Sequence, residues 1–167
     1  MSEHAAFSAT NLLRTLLEGD VDFVVIGGLA AQAHGSPLIT EDLDICFDLD
    51  RANLERLASV LEGLAAVRRG MPDGIRAPLD ARALRAGDVF TLRTMFGDLD
   101  LLARPDPGLD YAQLRSRATR FEFGGMTVWI ADLHDVIAMK RAAGRPKDLL
   151  AIEHLGALRE ELDRRAD

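Results

Sequence analysis

Apolar residues recur along this chain with helical spacing in some stretches and strand spacing in others, and the changes divide it into elements. In FSATNLLRTLLEGD (7–20), Leu12, Leu13, Leu16 and Leu17 fall at helical spacing and Gly19 is the stop. VDFVVIGG (21–28) reads as a short apolar strand running into glycine, and LAAQAHG (29–35) as a short helix ended by Gly35. DLDICFDL (42–49) alternates strictly, with Leu43, Ile45, Phe47 and Leu49 on one face and Asp42, Asp44, Cys46 and Asp48 on the other. RANLERLASVLEGL (51–64) is an amphipathic helix, with Asp50 expected at its N-cap. From Arg68 to Asp88 the pattern is lost: Pro72, Gly74 and Pro78 interrupt it, and the expectation is loop with at most a helical turn at 81–85.

Regularity then returns. VFTLRT (89–94) and GDLDLLA (97–103) read as a hairpin turning near Phe96–Gly97, LDYAQLRSR (109–117) as a short helix, and ATRFEFGGMTVWIA (118–131) as a second hairpin turning at Gly124–Gly125. DLHDVIAMKRAAG and RPKDLLAIEHLGALREELDRR close the chain as helices, with Pro146 in a first turn, where its missing N–H costs nothing. This order predicts an α/β (α+β) fold with a mixed central β-sheet and flanking helices, since hairpins inside the sheet argue against an all-parallel one. Residues 1–167 are expected to form one domain, the C-terminal helices 132–165 packing on its core.

Composition narrows the classes. With 48% hydrophobic and 28% charged residues the chain is globular, and no run approaches the roughly 20 apolar residues of a membrane helix, so no membrane partner is expected. The N-terminal stretch lacks a basic start followed by an apolar run, so a cytoplasmic location is the expectation. A single cysteine, Cys46, excludes an internal disulfide. A net charge of −7 and 5% aromatic residues argue against a general nucleic-acid coat or a base-stacking platform.

The acidic strand is the candidate chemistry. Asp42 and Asp44 lie two apart, so both carboxylates face the same way and repel. Mg²⁺ or Mn²⁺ would turn that repulsion into binding, because hard cations take carboxylate oxygens. Asp98 and Asp100 repeat the pattern in the later hairpin, and if their strand lies beside the first, a third carboxylate joins the pair, as in two-metal phosphoryl or nucleotidyl transfer. Asp100 is favoured as that third group because Asp98 sits nearer the turn. Gly27 and Gly28 let a backbone approach a phosphate closely, although a glycine pair alone also makes an ordinary tight turn. Lys140, Arg141, Arg145 and Lys147 form a basic patch opposed only by Asp148, able to neutralise triphosphate charge. His34 reads as structural, a helix-end imidazole bonded to backbone. Thr40 reads as fixing the loop ahead of the acidic pair through its hydroxyl.

Together these residues resemble the polymerase-β-like nucleotidyltransferases, and among them the minimal proteins related to the AbiEii and MenT toxins. The resemblance runs through Gly27, Gly28, His34, Gly35, Thr40, Asp42 and Asp44, continues at Asp100, and ends at Lys140, Arg145, Lys147 and Asp148. It implies transfer of a nucleoside monophosphate from an NTP to an acceptor hydroxyl or phosphate, with release of pyrophosphate. The acceptor classes it brings are the tRNA 3′ end, a protein or a small molecule. It further implies Mg²⁺ or Mn²⁺ on Asp42, Asp44 and Asp100, with these three and Lys140 catalytic. Gly27, Gly28, Thr40, Arg145, Lys147 and Asp148 would be nucleotide-binding, and an antitoxin would be a partner. The chain departs from the pattern at Leu38, where relatives usually carry a basic residue. A metal–NTP-binding module without turnover, or a toxin–antitoxin interaction protein, is the alternative reading.

Overall fold

A computed structural model describes residues 6–72 and 74–166. The first five residues, which begin the stretch read as lacking a leader, lie outside the described residues, as do Asp73, within the segment expected to be loop, and Asp167. The elements follow in chain order: α1 (Ala9–Glu18), β1 (Phe23–Ile26), α2 (Gly27–Ala33), β2 (Asp42–Phe47), α3 (Arg51–Gly63), β3 (Val67–Arg68), α4 (Ala81–Ala86), β4 (Val89–Thr94), β5 (Gly97–Leu102), α5 (Tyr111–Arg117), β6 (Thr119–Phe123), β7 (Met126–Ile130), α6 (Leu133–Ala143) and α7 (Pro146–Ala166). The strands form one seven-stranded sheet in the order β3-β4-β5-β2-β1-β7-β6. β2 runs parallel to β5 and β1 parallel to β7, while the other neighbours are antiparallel, so the sheet is mixed.

The alternation of β2 sets the layering. Leu43, Ile45 and Phe47 are fully buried, and Phe47 meets Phe90 of β4 edge-on, with ring centres 6.4 Å apart. Leu12, Leu13 and Leu16 of α1 and Leu54, Leu57 and Leu61 of α3 join the same core. Asn53 fixes the chain at the foot of the two central strands: its side chain accepts from the Asp22 amide at 2.7 Å and donates to the carbonyls of Asp22 at 3.1 Å and Asp48 at 2.8 Å. Burying such an amide without partners would be costly, so the satisfied triple contact makes Asn53 a fixed point. Asp50 caps α3 through the amides of Ala52 and Asn53. Asp110 forms a reciprocal capping box with Gln113 at the start of α5.

Two details depart from the sequence expectations. β2 ends at Phe47, and Cys46, placed on the acidic face, is wholly buried with its thiol 3.8 Å from the Ala103 carbonyl. The segment expected to be loop from Arg68 onward contributes the edge strand β3 and the six-residue α4, where only a turn was expected. A strand with two paired residues is too short to show alternation, so the sheet and not the local pattern creates it.

Candidate active site

The site grows from the register of β1, β2 and β5. Parallel pairing sets Asp42 opposite Asp98 and Asp44 opposite Asp100, so the four carboxylates rise from the same sheet face. Asp42, Asp44 and Asp100 each bring a carboxylate oxygen within 4.8 Å of the others. Antiparallel pairing with β1 places Ile26 opposite Asp44, and the chain turns into α2 one residue later. Gly27 makes that turn at φ +65, where a Cβ would lie 2.1 Å from an Asp44 oxygen. A Cβ on Gly28 would lie 2.7 Å from the Thr40 side chain. The glycine pair is therefore required by the protein's own packing: only glycine admits Asp44 and Thr40 this close to the backbone.

Thr40 donates its hydroxyl to Asp42 Oδ1 at 2.7 Å, with the Asp42 carbonyl at 3.2 Å, so it orients a carboxylate as well as the loop. Across the cleft, Lys140 from α6 and Arg145 from the α6–α7 turn converge on Asp148, at 3.5 and 2.6 Å. Gly144 allows the turn, at φ +63. Asp148, expected among the nucleotide-contacting groups, is fully buried; its carboxylate holds the two cations and also accepts the Arg145 amide at 3.2 Å. One buried carboxylate thus offsets part of the patch's charge from beneath. Lys147 lies exposed on the cleft wall. His34 bonds the Ala131 carbonyl through Nε2 at 2.7 Å, a backbone contact.

Gly27, Gly28, Thr40, Asp42, Asp44, Asp100, Lys140, Arg145 and Lys147 line one cleft of about 620 Å³, whereas Arg141 of the basic patch is not in its wall. Leu38 and Ile39 form its lip, with Ile39 88% exposed, so the departure from the resembled pattern at Leu38 gives the cleft an apolar edge. Asp148 lines an adjoining cavity of about 180 Å³, which shares Gly27, Asp44, Lys140 and Arg145 with the cleft and has Ile26, Leu102, Pro105 and Met139 in its wall.

The electrostatics are unbalanced on the acidic side. Burial, reinforced by Asp42 and Asp100, pushes the Asp44 carboxyl up to about 7, although Arg145 and Lys140 pull it down. Burial also raises Asp100 against the opposing pull of Arg69. Three hard oxygen donors whose mutual repulsion is incompletely offset are the donor set that a divalent cation completes, so the residues present fit Mg²⁺ or Mn²⁺.

Arg69 escaped the sequence reading. It follows β3 and reaches over β4 to Asp98, at 2.8 Å, and to Asp100. The available signal was the Arg68–Arg69 pair itself. Adjacent strand residues face opposite ways, and here Arg68 stacks on Phe90 at 4.7 Å while Arg69 joins the carboxylates.

No protein-family model matches the chain, and no curated protein matches it in sequence. Solved structures do match in shape. The lincosamide antibiotic adenylyltransferase LnuA, in its lincomycin-bound crystal structure, superposes with a TM-score of 0.60 at 14% identity, over 92% of this chain and 99% of that one. ANT(2'')-Ia in complex with adenylyl-2''-tobramycin gives 0.52 at 16% identity, over 93% and 95%. The solution structure of the antibiotic-resistance factor ANT(2'')-Ia gives 0.53 at 16% identity, over 93% and 89%. At these identities the likeness is one of chain path, and by that path the chain has the nucleotidyltransferase fold.

Proposed function

We propose that the chain transfers a nucleoside monophosphate from an NTP to an acceptor hydroxyl. The observation that carries this reading is the convergence of Asp42, Asp44 and Asp100 on two parallel neighbouring strands, within a nucleotidyltransferase fold and facing Lys140 and Arg145. Asp42 and Asp44 would hold Mg²⁺ or Mn²⁺, with Asp100 completing the set. When bound, the cations would supply charge neutralisation at the phosphates and a lowered pKa at the acceptor hydroxyl. Gly27 and Gly28 line the cleft where the β- and γ-phosphates would lie, with Asp44 and Thr40 packed on the sides their missing side chains leave. Lys140 and Arg145, held by Asp148, and the exposed Lys147 stabilise charge on the departing pyrophosphate. Thr40 keeps Asp42 aimed inward. The acceptor oxygen attacks the α-phosphorus, the bond from that phosphorus to the pyrophosphate oxygen breaks, and the hydroxyl proton passes to the Asp100 carboxylate.

ATP is the donor this reading favours, because LnuA is described as an adenylyltransferase and ANT(2'')-Ia is described with an adenylyl product. Those proteins are described with lincomycin and a tobramycin product, which puts small hydroxyl-bearing molecules beside the tRNA 3′ end and proteins as acceptors to offer. The finer kinship with AbiEii- and MenT-like toxins, with an antitoxin partner, rests on the motif string from Gly27 to Asp148. An NTP-consuming enzyme belongs in the cytoplasm, and among the described residues no helix is long and apolar enough to cross a membrane.

The test is incubation with each α-labelled NTP and Mg²⁺, offering total tRNA, protein lysate and a panel of aminoglycosides and lincosamides separately. Label on one class, absent from an Asp42→Ala/Asp44→Ala variant, is expected. Metal-dependent NTP binding without label on any class would favour a binding module instead. Toxicity on overexpression, relieved by Asp44→Ala, would support the toxin kinship.

A further inference from the structure

Asp98 and Asp100 project from the same face of β5, yet the structure treats them differently. Asp98 meets two arginines: Arg69 Nη1 at 2.8 Å on Oδ2 and Arg93 Nε at 3.8 Å near Oδ1. Among the described residues Asp100 meets Arg69 alone, through Oδ1, and its other oxygen is left free of that contact. Arg69 is anchored at its backbone, where its amide donates to the Thr91 carbonyl at 2.9 Å, and Thr91 is the β4 residue opposite Asp100. Arg69, Thr91 and Asp100 therefore form one row across the sheet. The guanidinium uses two nitrogens on two carboxylates, while its Nε is buried without an acceptor among the described residues. A buried unsatisfied donor is unfavourable, so the two-point grip on the acids outweighs that loss.

We propose that Arg69 is a positioning residue. It clamps Asp100 to Asp98 and thereby fixes the Asp100 carboxylate within reach of Asp42 and Asp44. This rests on the carboxylate trio being a divalent-cation site, as in the reading above. Asp98 is then the fixed end of the clamp and Asp100 the working end. A guanidinium suits the task because its planar fork holds two acceptors in a set geometry, which an ammonium cannot do. Groups that orient metal-binding side chains typically contribute about 10–100-fold to affinity or activity.

The experiment is Mn²⁺ binding to the metal-free protein, followed by the loss of free-ion electron spin resonance signal, with circular dichroism and thermal unfolding alongside. Arg69→Ala is expected to weaken binding about tenfold or more. Arg69→Lys, which keeps the charge and loses the fork, should fall nearly as far. Asp98→Asn, which slackens the fixed end, should weaken binding by a smaller factor. If Arg69→Ala fails to fold, the latter two variants decide. In turnover, the Arg69 variants should lose kcat with little change in KM for the NTP. Binding as tight as wild type, or tighter, in the folded Arg69 variants would show that the guanidinium is a spectator or a competitor for the cation, and would overturn the proposal alone. Absence of Mn²⁺ binding in wild type would overturn both the proposal and the metal-site reading beneath it.

Discussion

Asp148 and Asp44 face each other across Arg145 and Lys140, and the structure gives these two carboxylates opposite fates. Asp148 is completely buried. Burial alone would push its carboxyl up, but Arg145 and Lys140 hold it below the usual carboxylate range. Asp44 keeps some exposure, yet its carboxyl is pushed up to about 7 by burial and by Asp42 and Asp100, with the same two cations too weakly coupled to offset them. Burial pushes both carboxyls up; at Asp148 the two cations outweigh it, and at Asp44 they do not. Asp148 has its partners and is part of the frame. Asp44 lacks them, and the protein keeps a strained cluster that only an added cation or proton relieves.

Neutral isosteres should separate the two with opposite signs. Asp44→Asn removes one of three repelling charges, so the metal-free protein should gain roughly 2 kcal/mol at pH 8 while label transfer falls about a thousandfold. Asp148→Asn leaves Lys140 and Arg145 without their counter-charge. It should lose about 2–3 kcal/mol of stability, seen as a fall of about 5–10 °C in Tm. Should Asp44→Asn destabilise as Asp148→Asn does, the acidic cluster would be structural and the contrast would fail.

The same contrast explains what the sequence disclosed. Asp42 and Asp44, and Asp98 with Asp100, were legible as sharing faces because strand alternation fixes that; that β5 lies beside β2 was only a condition of the reading, and the structure meets it. The capping role of Asp50 and the backbone contact of His34 were also legible, since both follow from local hydrogen-bonding habits. Asp148 was read as part of a basic, ligand-facing patch, because nothing local says that the α6–α7 turn folds two cations down onto it. Arg69 was missed for a related reason. Its partners lie 29 and 31 residues away, through a strand pairing that has no period of its own. The glycine pair was legible as a close approach but not as to what approaches: in the structure the neighbours are Asp44 and Thr40.

The smallest expected effect is the pH dependence, and it is also the most direct reading of the Asp44 charge imbalance. Asp44 has a folded pKa of about 7 against an ordinary 3.8. A raised pKa means that the stability it contributes is fully present below the ordinary value and is lost as pH rises through about 7. Metal-free wild type should therefore lose Tm relative to Asp44→Asn as pH climbs from 4 to 8. Asp148 has the opposite sign: its contribution is present above the ordinary value and disappears only in acid. With cation present the proton becomes a competitor, so Mn²⁺ affinity should fall about tenfold between pH 8 and pH 6, and each ion bound at the lower pH should release a proton. Calorimetry in two buffers of different ionisation enthalpy measures that proton directly. Release near one proton per ion at pH 6, fading by pH 8, would locate the titration in the cluster. No release at either pH would mean that Asp44 is already ionised in the metal-free protein, and the difference from Asp148 would then be one of exposure alone.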